Sequence, residues 1–215
     1  MTKTLAAWFL IAAAAANQAV QAPRDVVQTA VTRVLTVLEP GKPSPDGTTA
    51  PRQPERSQVE RVRAEVRKVA GELFDFDEIA RRTLSRHWVG RTKAEQTEFA
   101  SLFADLLERA YVGRIVNHSG EKIVYTGEVL DGDYATVKSR VITRRKTETA
   151  LDYRLHLTEG RWKVYDVVVD GVSMVSTYRN EFNRVIQSSS FEELVDRLRK
   201  KTVAVRPLSG PAGQN

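Results

Sequence analysis

The apolar positions of this chain change their period twice. Up to residue 116 they recur every three or four residues, from 121 to 170 every second residue, and after 171 every three or four again. The first helical stretch, DVVQTAVTRVLTVLE (25–39), places Val27, Val31, Val34, Leu35 and Leu38 on one face. The second, RSQVERVRAEVRKVAGELF (56–74), aligns Val59, Val62, Val66, Val69 and Leu73 opposite charged residues. FDFDEIARRTLSRHW (74–88) predicts a third, short helix with Asp75 or Asp77 as its N-cap. The fourth opens on a capping box, Thr92 and Glu95, followed by Phe99, Leu102, Phe103, Leu106, Leu107, Ala110, Tyr111 and Ile115. EKIVYTGEVL (121–130), DYATVKSRVITRR (133–145), TALDYRLHLT (149–158) and RWKVYDVVVD (161–170) then read as four strands. In the third strand Leu151, Tyr153, Leu155 and Leu157 alternate with Asp152, Arg154, His156 and Thr158. A helix from Gly171 onward carries Met174, Tyr178, Phe182 and Val185, with Ser173 as its expected N-cap. Ser190 and Glu193 open a last helix, FEELVDRLRKK (191–201).

Asp131-Gly132 and Glu159-Gly160 are expected as tight hairpin turns, and Gly171 as the corner between the last strand and its helix. Strands joined by short turns form an antiparallel meander. The order helices, sheet, helices predicts an α+β fold: a four-stranded, twisted antiparallel sheet with helices packed on one face. PGKPSPDGTTAPRQPE (40–55) has no apolar periodicity and is expected as a linker. Residues 202–215 are expected as a disordered tail.

The N-terminus changes the picture. Lys3, the apolar run LAAWFLIAAAAA (5–16) and the small-x-small pattern Val20-Gln21-Ala22 predict an export signal, 1–22, with cleavage after Ala16 or Ala19, or an uncleaved anchor, as alternatives. Export argues against a nucleic-acid partner for the net charge of +6, much of which is interleaved with acids, as in ERVRAEVRK (60–68). With no cysteine, disulfides and thiol chemistry are excluded. Residues are 41% hydrophobic, enough for a packed core.

Candidate chemistry is sparse. His87, His118 and His156 lie on separate elements without metal-ligand spacing, and no nucleophile elbow or phosphate loop occurs. No metal site and no cofactor are expected. Asn117-His118-Ser119 fits a glycosylation sequon. Asp166, in an apolar strand beside Tyr165, is a candidate general base, or else faces solvent or bonds a neighbouring helix or arginine. Asp170 is a candidate for shaping the turn through its side chain. What remains is apolar surface: Phe103, Leu107, Tyr111 and Ile115 on the fourth helix, Val137, Leu155, Val167 and Val169 on the sheet, and Val172, Met174, Tyr178 and Phe182 after it. In one dimension a pocket wall and a packed core look alike.

The stretches FDFDEIARRTLSRHW (74–88), TKAEQTEFASLFADLLERAY (92–111), WKVYDVVVDGVSMVSTYRNEF (162–182) and FEELVDRLRKK (191–201) resemble the periplasmic phospholipid-binding proteins of the Mla pathway, the MlaC or Ttg2D toluene-tolerance family. The resemblance spans 56–201, and the Pro-rich stretch is longer than the connection usual in that family. It implies a periplasmic, monomeric, non-enzymatic carrier of broadly NTF2- or cystatin-like shape. Its parts would be a signal peptide (1–22), an N-terminal helix (23–39), a linker (40–55), a lipid-binding domain (56–201) and a tail (202–215). Phospholipid would be cargo, not cofactor, its acyl chains held in an apolar cavity lined by the twelve residues just named. The implied partners are an inner-membrane ABC transporter with an MCE-domain subunit and an outer-membrane lipoprotein–porin complex, in a pathway of outer-membrane lipid asymmetry. The rival readings are a small-ligand enzyme of similar fold with Asp166 as base, and a lipid-free protein-binding adaptor.

Overall fold

The computed structural model describes residues 20–38, 55–116, 120–203 and 208. Most of the predicted signal, nearly all of the Pro-rich stretch and the Asn117-His118-Ser119 triplet lie outside these residues. Helix α1 spans Pro23–Leu38 and starts on a proline, which needs no N–H partner there. The N–H of Arg24 in its first turn donates to the Glu128 carboxylate, at 2.6 Å. Helix α2 (Glu55–Leu73) stops where Phe74 forms a parallel bridge to Val164 and the Asp75 N–H donates to the Val164 carbonyl at 2.9 Å. Asp75 then caps helix α3 (Phe76–Leu84), accepting the Glu78 N–H at 2.9 Å, so it is Asp75 and not Asp77 that fills the cap.

After a 3-10 turn, Ser85–His87, helix α4 runs over Lys93–Val116. Its capping box is reciprocal: the Glu95 N–H donates to the Thr92 hydroxyl at 3.3 Å, and the Thr92 N–H to the Glu95 carboxylate at 2.7 Å. The Thr92 N–H and hydroxyl, both donating to it, hold the Glu95 carboxyl below the usual range. Thr92→Ala should cost about 1 kcal/mol of stability, read as a lower urea midpoint.

The sheet is antiparallel and follows chain order: β1 (Lys122–Asp131), β2 (Tyr134–Ile142), β3 (Glu148–Thr158), β4 (Arg161–Val169) and β5 (Val172–Ser173). It has five strands, one more than the periodicity predicts. The extra strand arises because Asp170 and Gly171 both adopt left-handed backbone, φ 47° and 83°, and fold Val172 and Ser173 back onto Val169 and Val168. Two residues are too few to leave a period. Asp170 shapes this turn, its carboxylate accepting the Ala150 N–H at 2.8 Å. The β1–β2 turn is one residue later than expected: Asp131 pairs with Tyr134, leaving Gly132 (φ 54°) and Asp133 as the turn.

A second irregularity matters more. Across β3 and β4, Leu155 pairs with Val164 but Arg154 pairs with Asp166, so Tyr165 is the extra residue of a β-bulge. Side chains of Trp162 and Val164 therefore share one face with Val167 and Val169, while Asp166 and Val168 point to the other. β4 is buried on both faces, and the helices are not confined to one side as expected. α1 covers the first face, and Arg82 of α3 stacks over Tyr165 of the second at 4.0 Å.

Helices α5 (Met174–Ser188) and α6 (Phe191–Arg199) complete the chain, capped by Ser173 and Ser190, whose hydroxyls accept the N–H groups of Ser176 and Glu193. The apolar interior forms three clusters. One is wholly helical, from α3, α4, α5 and α6, with Phe99, Phe103, Tyr178 and Phe182 in edge and tilted ring contacts 5.0–5.8 Å apart. Val203 and Leu208, inside the expected tail, pack against it. The second joins α1 and the end of α2 to the sheet, and the third joins α1, α2 and α4.

Candidate functional site

Because directly paired residues share a face, the register sorts the sheet into rows. Leu157 and Trp162 form one, followed by Ala135, Leu155 and Val164, then Val137, Tyr153 and Val167, and then Ser139, Leu151, Val169 and Val172. Burial is deepest in the middle rows, with Leu157 partly exposed at one end and Val172 at the other. Val137, Leu155 and Val164 are inaccessible, Leu151, Val167 and Val169 are half-buried, and Val172 is 51% exposed. The face is thus largely apolar, most deeply buried in its middle rows and open at the Val172 end. Helix α1 lies on it through Val26, Val27, Ala30 and Val31. Besides its apolar contacts, α1 is held by the Arg24–Glu128 bond and by ion pairs from Arg33 to Glu65, at 2.9 Å, and to Glu72. The Arg33 pairs are solvent-accessible and worth little each.

Two phenols interrupt this surface. Tyr153 is fully enclosed, and burial keeps it firmly neutral. Tyr125, under the Arg24 guanidinium at 5.7 Å, has its pKa pushed up to about 12 by burial. Its hydroxyl is buried and has no hydrogen-bond partner among the described residues. A buried, unpartnered hydroxyl costs about 1–3 kcal/mol, so its retention asks for a reason.

The strand–helix corner is built around Asp166, 2% exposed. One carboxylate oxygen accepts the Val175 N–H at 3.0 Å. The other accepts the Ser173 hydroxyl at 2.6 Å and an Arg154 N–H at 3.2 Å. Both oxygens are therefore engaged in fixing the start of α5. The arrangement holds the corner between β5 and α5.

The twelve apolar residues singled out by sequence do not form one surface. Phe103, Leu107, Tyr111, Met174, Tyr178 and Phe182 belong to the helical cluster. Val137, Leu155 and Val167 belong to the sheet–α1 cluster. Val169 and Val172 share that face by register but lie at its open end, and Ile115 is 36% exposed on α4. Sequence reasoning passed over Tyr125, Leu151, Tyr153, Val164 and the α1 residues Val27 and Val31. The signal was available for some: Leu151 and Tyr153 alternate in phase with Leu155, and Val27 and Val31 lie on one helical stripe.

The histidines play structural parts where they are described. His156 pairs with Asp75 at 2.9 Å, and His87 lies 3.0 Å from Asn183. Among the described residues no group of His, Asp or Glu could hold a metal ion, and no helix is long and apolar enough to cross a membrane. Two clefts, about 320 and 370 Å³, have mainly polar walls. The first is lined by Arg81, Arg82, Ser85, Trp88, Val89 and Arg179. The second lies between the α2–α3 junction and the β3–β4 turn.

The chain is similar to several known proteins. The model of the MlaC protein family matches residues 48–200, beginning after α1. The intermembrane phospholipid transport system binding protein MlaC of Haemophilus influenzae is 28% identical over 115 residues, 51% of this chain; the match spans 54% of that protein, about half its length. The toluene tolerance protein ttg2D of Pseudomonas putida is 25% identical over 171 residues, covering 79% of this chain and 75% of that one. Among solved structures, a phospholipid-binding protein from Ralstonia solanacearum, in complex with a phospholipid, superposes with a TM-score of 0.69 at 26% identity, over 84% of this chain and 96% of that one. The family match covers most of the chain, including α2 to α6 and the whole sheet, and on that ground the chain belongs to the MlaC family.

Proposed function

We propose that this chain is a periplasmic phospholipid carrier whose acyl chains lie against the α1-covered face of the sheet. The observation that carries the reading is that face: a largely apolar surface, open at the Leu151–Val169–Val172 end and covered by α1 with the end of α2. Family membership and the phospholipid held by the Ralstonia solanacearum relative support it. The alternation of strand β3 and the stripe of α1 supply the same chemistry from opposite sides. Of the twelve residues, those on the sheet face the cargo in this reading, whereas the interlocked rings of α4 and α5 hold the scaffold.

The energetics dictate how such a carrier works. Two acyl chains of about 15 methylenes each, at about 0.8 kcal/mol per buried CH₂, represent on the order of 24 kcal/mol of shielding from water. Release into water is then negligibly slow. A membrane shields the chains equally well, so transfer by docking is close to balanced. Loading displaces α1, which is tied mostly by apolar contact and by weak, exposed ion pairs. An inner-membrane ABC transporter with an MCE-domain subunit and an outer-membrane lipoprotein–porin complex are the proposed docking partners of a monomeric shuttle. The enzyme reading loses its candidate base because Asp166 is committed to the α5 corner.

Native mass spectrometry of the purified chain, followed by lipid extraction, is expected to find bound phospholipid. A lipid-free protein that also takes none from vesicles would sink the carrier reading in favour of an adaptor. The orphan Tyr125 hydroxyl offers one hydrogen bond to a lipid ester oxygen at this face. Tyr125→Phe should therefore leave the lipid-free protein as stable or about 1 kcal/mol more stable, because an unpartnered buried hydroxyl is removed, while weakening lipid retention. Urea unfolding and competitive extraction by vesicles measure the two effects.

A further inference from the structure

The structure assigns a phosphate-binding site to the cleft between the end of α3 and the start of α5, which Arg81, Arg82 and Arg179 line beside Trp88. The cleft shares no residue with the proposed acyl-chain surface. Its volume, about 320 Å³, is at the lower end for small-ligand sites and suits a phosphate with part of an attached ester.

Three features make the cleft a built site and not a scatter of surface arginines. First, its lining carries Arg81, Arg82 and Arg179 and no carboxylate. Glu78 pairs with Arg81 and Arg82, and Asp75 also acts on Arg81, so two carboxylates stand against three guanidiniums. Second, each guanidinium is held by its inner edge. The Arg179 Nε donates to the Arg82 carbonyl at 2.9 Å, at the C-terminal end of α3. The Arg82 Nε donates to Glu78 at 2.7 Å while its plane stacks on Tyr165 at 4.0 Å. Arg81 makes a two-point contact with Glu78, both bonds 2.6 Å. The outer N–H groups, Nη1 of Arg81 and both Nη of Arg82 and Arg179, have no hydrogen-bond partner among the described residues. Third, Ser85 in the lining holds φ 51° and ψ −119°, a strained conformation for a residue with a Cβ, and such strain concentrates at ligand sites.

Planar forks with free outer edges match the paired oxygens of a phosphate, and fixing their inner edges removes much of the ordering cost. Trp88 and Val89, the latter 87% exposed, add an apolar flank that a bare inorganic anion does not need but the carbon side of a phosphate ester can use. The phosphate can come from a phospholipid headgroup at a membrane surface or from the free ion, and the two sources are separable by experiment.

The test measures binding of the purified chain to inorganic phosphate by calorimetry. It also measures binding to phosphatidylcholine vesicles with and without phosphatidylglycerol by flotation, at low and at high salt. Arg81→Gln with Arg179→Gln should weaken binding about tenfold or more per guanidinium removed. Lys138→Gln with Arg145→Gln, equal in charge but on the sheet and its hairpin, should change it little. Binding of the free ion that the cleft variant abolishes supports the site with phosphate alone as sufficient. Binding only to phosphatidylglycerol vesicles, again lost in the cleft variant, supports it with a headgroup as the source. The proposal is overturned if wild type binds neither probe, or if both double variants lose binding equally, which would be undirected charge attraction. Thermal unfolding verifies that the cleft variant folds, and Arg179→Lys, which keeps the charge without the fork, should restore only part of the affinity. Native mass spectrometry of the same proteins reads acyl-chain cargo separately, so failure of the phosphate site and failure of the carrier reading give different results.

Discussion

Replacing Asp166 by alanine lowers the stability of the fold by about 3 kcal/mol, because a buried acceptor of three hydrogen bonds is removed. The Val175 N–H is left inside the protein without a partner, and the Ser173 hydroxyl loses its acceptor at the N-terminus of α5. Arg154 contributes less, since its side chain is 44% exposed and water replaces the lost ion pair. Asp166→Asn keeps one carbonyl oxygen and should cost about half as much. Equilibrium urea unfolding measures both. The expected signature is a lower midpoint with lipid still bound, and a variant that keeps full stability would refute the corner role.

The second large effect separates cargo from scaffold. Val167→Glu with Leu151→Glu is expected to abolish phospholipid uptake while the protein remains folded. Both residues are half-buried, Leu151 in the row at the open end of the face and Val167 in the row before it, where a carboxylate reaches water in the lipid-free state. Acyl chains would have to desolvate those charges at a cost of several kcal/mol, which removes the advantage of entering. Phe182→Ala should do the converse. Phe182 is inaccessible and meets Phe99, Phe103 and Tyr178 ring to ring, so its loss costs about 3–5 kcal/mol of stability with little change in lipid stoichiometry. Lipid extraction from vesicles and unfolding measurements on both variants give a crossed pattern. If Phe182→Ala empties the protein while the glutamate pair does not, the cargo lies in the helical cluster and not on the sheet.

The residues singled out for lipid contact illustrate what a period can and cannot convey. Met174, Tyr178 and Phe182 share a helical stripe, and so do Val27 and Val31; both stripes are buried, but one meets other helices and the other meets the sheet. Nothing local distinguishes them, because amphipathicity specifies that a face is covered and not what covers it. Val172 reads as part of an apolar run, yet the Asp170-Gly171 turn leaves it half in solvent on a two-residue strand.

The sequence by itself determined the elements and much of their punctuation. Helical and alternating periods, the Thr92, Ser173 and Ser190 caps and the Gly turns depend on contacts within a few residues, and each appears in the structure within a residue or two of its expected place. The α+β class followed from their order. Only the tertiary structure decided which faces meet. The bulge at Tyr165 turns Asp166 away from Val164 and Val167 and gives it to the α5 corner. It also puts Tyr165 under Arg82, at the edge of the arginine cleft. A register shift of one residue costs little locally, and it is selected by how the strand packs against its neighbours: Ser173 and Val175 nearby in the chain, and Arg82 far from Tyr165 in it, which the period of apolar positions does not convey.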